Sequence, residues 1–176
     1  MVPHLSTERL ILEPRAVADV DDFVAMDADP LVRRHMPPAF RDAFDAEIYR
    51  GQLANRIGHD FGAGLGHWTI RSKTEPLGFV GTVLLIPVEG TGPDVEIGWR
   101  LPRAAWGRGY VREAARCALA HGFSAVGLSE ILALIDPENR RSIATAAALG
   151  FRRQGRRQAY GTVFDRYGHS GPASGG

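Results

Sequence analysis

Three short stretches of this chain hold residue types whose spacing could do chemistry. The first is Trp106-Gly107-Arg108-Gly109-Tyr110-Val111-Arg112, a glycine-bearing turn between a predicted strand and a strong helical pattern. First-turn helix amides have no internal acceptors, and the helix dipole adds partial positive charge there. Glycines let the backbone approach a phosphate, so that successive N–H groups point at it. Arg108 and Arg112 would add full charges. Taken alone, the two glycines serve equally well as a tight strand-to-helix turn. A dinucleotide fingerprint is ruled out because Arg112 stands in place of the third glycine, and a P-loop because no Gly-Lys-Ser/Thr follows.

The second stretch centres on Glu96, flanked by Val95 and Ile97 in a predicted strand over residues 94–101. Alternation puts Val95, Ile97, Trp99 and Leu101 on one face and Glu96, Gly98 and Arg100 on the other. Partial burial would lift the Glu96 pKa toward that of a useful general base. The alternatives are a solvent-facing carboxylate or one paired with Arg100. The third stretch, residues 136–142, ends a predicted strand and opens a helix. Asn139 suits its N-cap, and Ser142 lies one turn on.

These residues need a scaffold. Residues 9–15 read as a strand, 19–28 as a short helix, and 42–57 as a second helix with Phe44, Ile48 and Leu53 recurring near helical spacing. Two prolines make residues 33–38 a loop. Strands follow over 67–71, 77–88 and 94–101, with a turn at 73–76. Next come a helix with Ala114, Ala115, Ala118, Leu119 and Gly122 on one face, a strand over 130–135, a helix over 139–149 stopped by Gly150, and strands near 152–160 and 162–167. The order β-α-α-β-β-β-α-β-α-β-β predicts an α+β domain over residues 1–167 with a central mixed, mostly antiparallel sheet. A Gly/Ser-rich tail, 168–176, is predicted to be disordered.

The totals narrow the function. Twenty-one Lys+Arg against 20 Asp+Glu give a net charge of +1, which argues against bulk electrostatic binding of nucleic acid or anionic membrane. Cys117 is the only cysteine, so an intrachain disulfide and a Cys-based zinc site are excluded. The six histidines show no metal-ligand spacing and no triad partner, so no metal is expected. The N-terminus lacks an apolar signal core, and the longest apolar stretch falls short of the roughly 18 residues of a membrane span. A cytoplasmic location is the expectation.

The turn at 106–112 resembles the coenzyme A motif of the GNAT N-acetyltransferase superfamily, Gln/Arg-x-x-Gly-x-Gly/Ala. It is most similar to the branch of ribosomal-protein N-terminal acetyltransferases (RimJ/RimL type), which reads Trp-Gly-Arg-Gly-Tyr. Trp106 replaces the general Gln or Arg, and Val111 departs from Gly or Ala. Residues 7–12, 94–99 and 136–151 resemble further motifs of that branch, in the same order.

The resemblance implies acetyl-CoA as acetyl donor and an amine as acceptor, joined in a ternary complex without an acyl-enzyme. It implies Glu96 as base, directly or through water. Coenzyme contacts would come from residues 106–112, from the Trp99 and Leu101 backbone, and from the Asn139 side chain. An amide near Ile97 or Gly98 would serve the developing oxyanion. Many relatives place a tyrosine acid where Ala146 stands, which leaves Ser142 as acid or thiol contact. Arg140 and Arg141 are either exposed helix charges or contacts to the 3′-phosphate. The acceptor groove would fall near His35, Met36, Phe40, Trp68 and Tyr160. A protein N-terminus is favoured over an aminoglycoside or small amine, and a non-catalytic acyl-CoA sensor is the alternative class. Dimers are common in the family, though no feature of this sequence demands a homodimer.

Overall fold

A computed structural model of the chain describes residues 1–62, 64–74 and 78–171. Among these, the strands are β1 (Leu5–Ser6), β2 (Leu10–Pro14), β3 (Gly66–Ser72), β4 (Phe79–Pro87), β5 (Val95–Arg100), β6 (Glu130–Ile135), β7 (Arg152–Ala159) and β8 (Thr162–Ser170). The helices are α1 (Val20–Ala28), α2 (Pro30–Arg33), α3 (Pro38–Asp42), α4 (Ala46–Arg56), α5 (Tyr110–Ser124) and α6 (Arg140–Ala148). The strands form one sheet in the order β1-β2-β3-β4-β5-β6-β8-β7. Each neighbouring pair is antiparallel except β5 and β6, which run parallel. The expected mixed, mostly antiparallel α+β architecture is observed.

Strand alternation separates the two faces. Leu10, Leu12, Trp68, Ile70, Val83, Leu85, Val95, Ile97 and Leu101 share a core with Ala114, Ala115 and Ala118 of α5 and Ala146 of α6. Small residues bring α5 close to the sheet. A Cβ on Gly122 would lie 2.8 Å from Ile131 Cδ1 and 2.9 Å from Leu85 Cδ2, so a larger residue there would force those buried side chains to shift. The opposite face is covered by α1 and α4 through Phe23, Val24, Met26, Tyr49 and Leu53.

Four details differ from the sequence reading. The expected loop over residues 33–38 is observed over 34–37, but Arg33 closes one short helix and Pro38 opens another, and Pro30 opens the first of these two. Proline is tolerated at the first helical position, where its missing N–H would have no partner. In α4 the inward residue is Tyr49, whereas Ile48 is 62% exposed. The two-residue strand β1 was not expected. Finally, β8 continues through Gly168, His169 and Ser170, which pair with β6; the expected tail is strand over its first three residues. The rest of that tail from 172, Glu75 and Pro76 of the expected turn, and Leu77 lie outside the described residues.

Candidate active site

Glu96 points to the α1/α4 face of β5 and is 8% exposed. Burial raises its pKa to about 7, against the lowering effects of the Tyr160 hydrogen bond and of Arg157. The partner is the Tyr160 hydroxyl, which donates to Oε1. Tyr160 sits at the β7–β8 turn with φ +53 and is fixed there reciprocally: its hydroxyl accepts from the Glu89 N–H at 2.7 Å, and its N–H donates to Glu89 Oε1 at 2.8 Å. Burial and the neighbouring carboxylates push the Tyr160 phenol up, so it remains a donor near neutral pH. Arg100 is not the partner of Glu96. It binds Asp27, fully buried, with Nε 2.6 Å from Oδ1 and Nη2 2.9 Å from Oδ2. The Tyr49 hydroxyl donates to the same Asp27 at 2.7 Å.

Next to Glu96 the sheet opens. β5 pairs with β4 over its whole length, but with β6 only at Glu96↔Leu132. The Val88 N–H donates to the Asp94 carbonyl at 2.9 Å, so antiparallel alternation turns the amides of residues 94, 96, 98 and 100 toward β4 and those of 95, 97, 99 and 101 toward β6. Ile97 lies within the bridge to Leu132. Trp99 and Leu101 lie beyond it, with backbone groups facing a gap between diverging parallel strands. The expected backbone contact at Trp99 therefore falls on a free edge, and at Leu101 only the N–H does, because its carbonyl accepts from Trp106 Nε1. The Gly98 amide faces β4 and is not available there.

The glycine turn stands at the end of this gap. Gly107 has φ +74, and Gly109, the N-cap of α5, has φ +78. The Glu113 N–H closes the first helical bond on the Gly109 carbonyl at 3.2 Å, leaving the Tyr110, Val111 and Arg112 amides without intrahelical acceptors. Arg108 and Arg112 are exposed, and with Thr7 and Arg9 they line an open depression of about 830 Å³. Two side chains hold the turn in place. Glu113 accepts from the Arg9 N–H at 2.9 Å, from Arg9 Nε at 2.7 Å and from the Thr7 hydroxyl. Burial alone would raise its pKa, but these donors hold it below the usual carboxylate value. Trp106 Nε1 donates to the Leu101 carbonyl at 2.9 Å, and Arg141 lies 4.3 Å over its indole ring. The Trp106 ring therefore braces β5 against α6. The Tyr110 side chain is buried and Val111 packs against the core, so both can meet a ligand only through the backbone.

Across the gap, Asn139 caps α6 by accepting from the Ser142 N–H at 3.1 Å. Both are half-buried. Arg141, as noted, stacks on Trp106, which sequence reasoning did not anticipate. Among the expected groove residues, His35 Nδ1 lies 2.9 Å from Asp136 Oδ2 and links the α2–α3 turn to the end of β6. Met36 meets Arg100 through sulfur at 3.7 Å, and Phe40 packs on Phe44 and Tyr49. Trp68 is not a groove residue: it is wholly buried on the α5 face and donates to the Pro3 carbonyl at 2.7 Å. Sequence reasoning missed the clamping role of Glu113, Glu89 and Asp27, because each acts on a distant partner. No metal-binding cluster and no membrane-length apolar helix occur among the described residues.

Residues 9–152 match the family model described as "Acetyltransferase (GNAT) domain". The chain is 29% identical over 168 residues to an uncharacterized N-acetyltransferase, p20, of Bacillus licheniformis, covering 93% of this chain and 92% of that protein. Its fold is similar to RimL, a ribosomal L7/L12 alpha-N-protein acetyltransferase solved with coenzyme A (TM-score 0.75, 13% identity, 96% and 98% of the chains). It is also similar to spermidine N-acetyltransferase from Vibrio cholerae, solved with coenzyme A and spermine (TM-score 0.74, 17% identity, 93% and 96%).

Proposed function

The chain belongs to the GNAT acetyltransferase family and is an acetyl-CoA-dependent acyltransferase, and we propose that it acetylates a primary amine directly, a protein N-terminus being the favoured acceptor. One observation carries this reading: Glu96, a buried carboxylate with a pKa of about 7, lies beside the free edge of β5. The gap between β5 and β6 and the orphan amides of residues 110–112 fit an extended pantetheine arm and a pyrophosphate respectively. Acetyl-CoA supplies the acyl group as a thioester with a thiolate as leaving group.

The residues of the chain do the rest. An α-amine with a pKa of roughly 8 arrives mostly protonated, and Glu96 accepts its proton, directly or through a water. Tyr160 holds the carboxylate in place while doing so. The Trp99 amide, the first beyond the β6 bridge, is the donor for charge developing on the acyl oxygen. Asn139 fixes the start of α6, and the Ser142 hydroxyl on its first turn orients the departing sulfur or, as acid, relays to it the second proton that the acetylated nitrogen gives up. Cys117 takes no part; burial pushes its thiol up, away from the reactive thiolate. The Trp106–Tyr110 turn and the likeness to RimL support a protein N-terminus as acceptor.

The test is thiol release from acetyl-CoA with peptides of varied N-termini, aminoglycosides and polyamines, run beside Glu96→Gln. We expect turnover with peptides and a loss of roughly 10²- to 10⁴-fold in kcat in the variant. A variant that keeps the full rate would remove Glu96 from the mechanism, and thermal stabilisation by acetyl-CoA without turnover would favour a sensor.

A further inference from the structure

The face of the sheet that carries Glu96 ends, at its other side, in a second recess of about 480 Å³. Its walls come from the end of β2, the start of β3, the end of α4 and the N-terminal segment. Register ties the two places together. Gly98 lies opposite Leu84, and Leu84 opposite His67, so His67 stands on the same face as Glu96. Two residues along a strand and two strands across separate them by about 12 Å.

The recess is lined by Arg15, Arg56, His4, His59 and His67 against a single carboxylate, Asp60. Asp60 is turned to its own loop, accepting from the Gly62 N–H at 2.9 Å. Arg15 Nε is buried without a hydrogen-bond partner. The acids that could have served it, Glu13 and Asp19, are bound by Arg71. Neither Arg15 nor Arg56 forms an ion pair among the described residues. The surplus charge is felt locally: burial, then Arg15, Arg100, Arg56 and His59, depress the His67 pKa to about 3. Burial and the neighbouring cations also bring Arg15 down to about 10. Two arginines without ion pairs, in a recess whose one carboxylate is turned to its own loop, leave uncompensated positive charge that suits an oxyanion.

We propose that this recess binds a carboxylate or phosphate, and that the acceptor amine itself carries that group, about three extended residues from the nitrogen that is acetylated. The favoured peptide acceptor is then one with acidic side chains just after its N-terminus, and a polyamine is disfavoured. This rests on the amine-acceptor reading above.

The first arm titrates inorganic phosphate into the protein saturated with coenzyme A, which keeps the glycine turn occupied, and follows the His59 and His67 imidazole resonances by NMR. Saturable shifts are expected, weakened about tenfold by Arg15→Gln and by Arg56→Gln. Arg56 is exposed, so its variant should fold even if that of Arg15 does not. The second arm compares KM for peptides with Glu or with Gln at positions two and three. The Glu peptide should be favoured about tenfold, with the ratio falling to about one in Arg56→Gln. Phosphate that does not bind saturably, or binds Arg56→Gln equally well, overturns the site. Arg56-dependent phosphate binding without a peptide preference overturns the acceptor assignment and makes the ligand a free anion. Loss of turnover with every acceptor would instead fault the mechanism proposed above, while the phosphate arm still decides the recess.

Discussion

The two faces of the sheet solve different problems. On the α5 side the packing is apolar, and what is offered to a ligand is chiefly backbone, the orphan amides after Gly109 and the free edge at Trp99, with the exposed Arg108 and Arg112 at the rim. On the α1/α4 side, Asp19, Asp27, Thr69, Thr82 and Glu96 are buried in hydrogen-bonded networks. Two carboxylates make the contrast concrete. Glu113, held by donors from Thr7 and Arg9, is kept charged below the usual range. Glu96, buried deeper with one principal donor, is raised to about 7. A backbone site suits a cosubstrate of fixed shape, whereas a side-chain site sets proton affinity and acceptor choice.

The contrast can be broken most forcefully at Asp27. Asp27→Ala leaves Arg100 buried and unpaired, and we expect a loss of about 3–5 kcal/mol in denaturant unfolding. A loss below about 1 kcal/mol would mean that this face is effectively wet. Glu96→Gln should act in the opposite direction on stability. In the unfolded chain Glu96 loses its proton near 4.5, but in the folded protein only near 7. Its unfavourable contribution therefore grows as pH rises through that window and is complete above it. At pH 8 the variant should be more stable than wild type by on the order of 3 kcal/mol, while at pH 4 the two should converge.

Gly109→Ala probes the backbone face. The nearest atom to a Cβ there is Arg9 Nη2 at 3.5 Å, so space is adequate and the φ of +78 carries the cost, about 1–2 kcal/mol. The KM for acetyl-CoA should rise while that for the amine stays put; equal effects on both would dissolve the distinction between the faces. The smallest effect is expected from Tyr160→Phe. The rate should rise with pH through about 7 as Glu96 deprotonates. Removing the Tyr160 hydrogen bond, which lowers that value, should move the limb upward by up to about one unit. An unmoved limb would assign it to another group.

The sequence made the backbone features legible because they are local. Strand alternation put Glu96 on the face opposite Val95 and Ile97 without deciding whether that face met solvent, and two glycines before an amphipathic helix marked the turn, which reads as a cradle only through the resemblance. The clamps were not legible, since Glu113 and Arg9 are separated by 104 residues and Tyr160 and Glu96 by 64, with no periodic signal linking them. Helix α4 misled for a related reason. Ile48 is the more apolar residue, but Tyr49 is the one whose hydroxyl finds Asp27, so the polar partner decided which side turned inward. Trp68 was misassigned because position in an element does not tell which face of the sheet its side chain takes.

The position of Tyr160 also has a consequence for the order of events when the chain is made. β8 lies between β6 and β7, so the last hairpin must dock as a unit on a strand formed earlier. Until it does, Glu96 lacks the Tyr160 hydroxyl that bonds it. The nascent protein can build its cosubstrate cradle from residues well upstream, yet its proton acceptor is tuned only when the closing hairpin arrives. The geometry of the proton acceptor therefore waits on the β7–β8 hairpin.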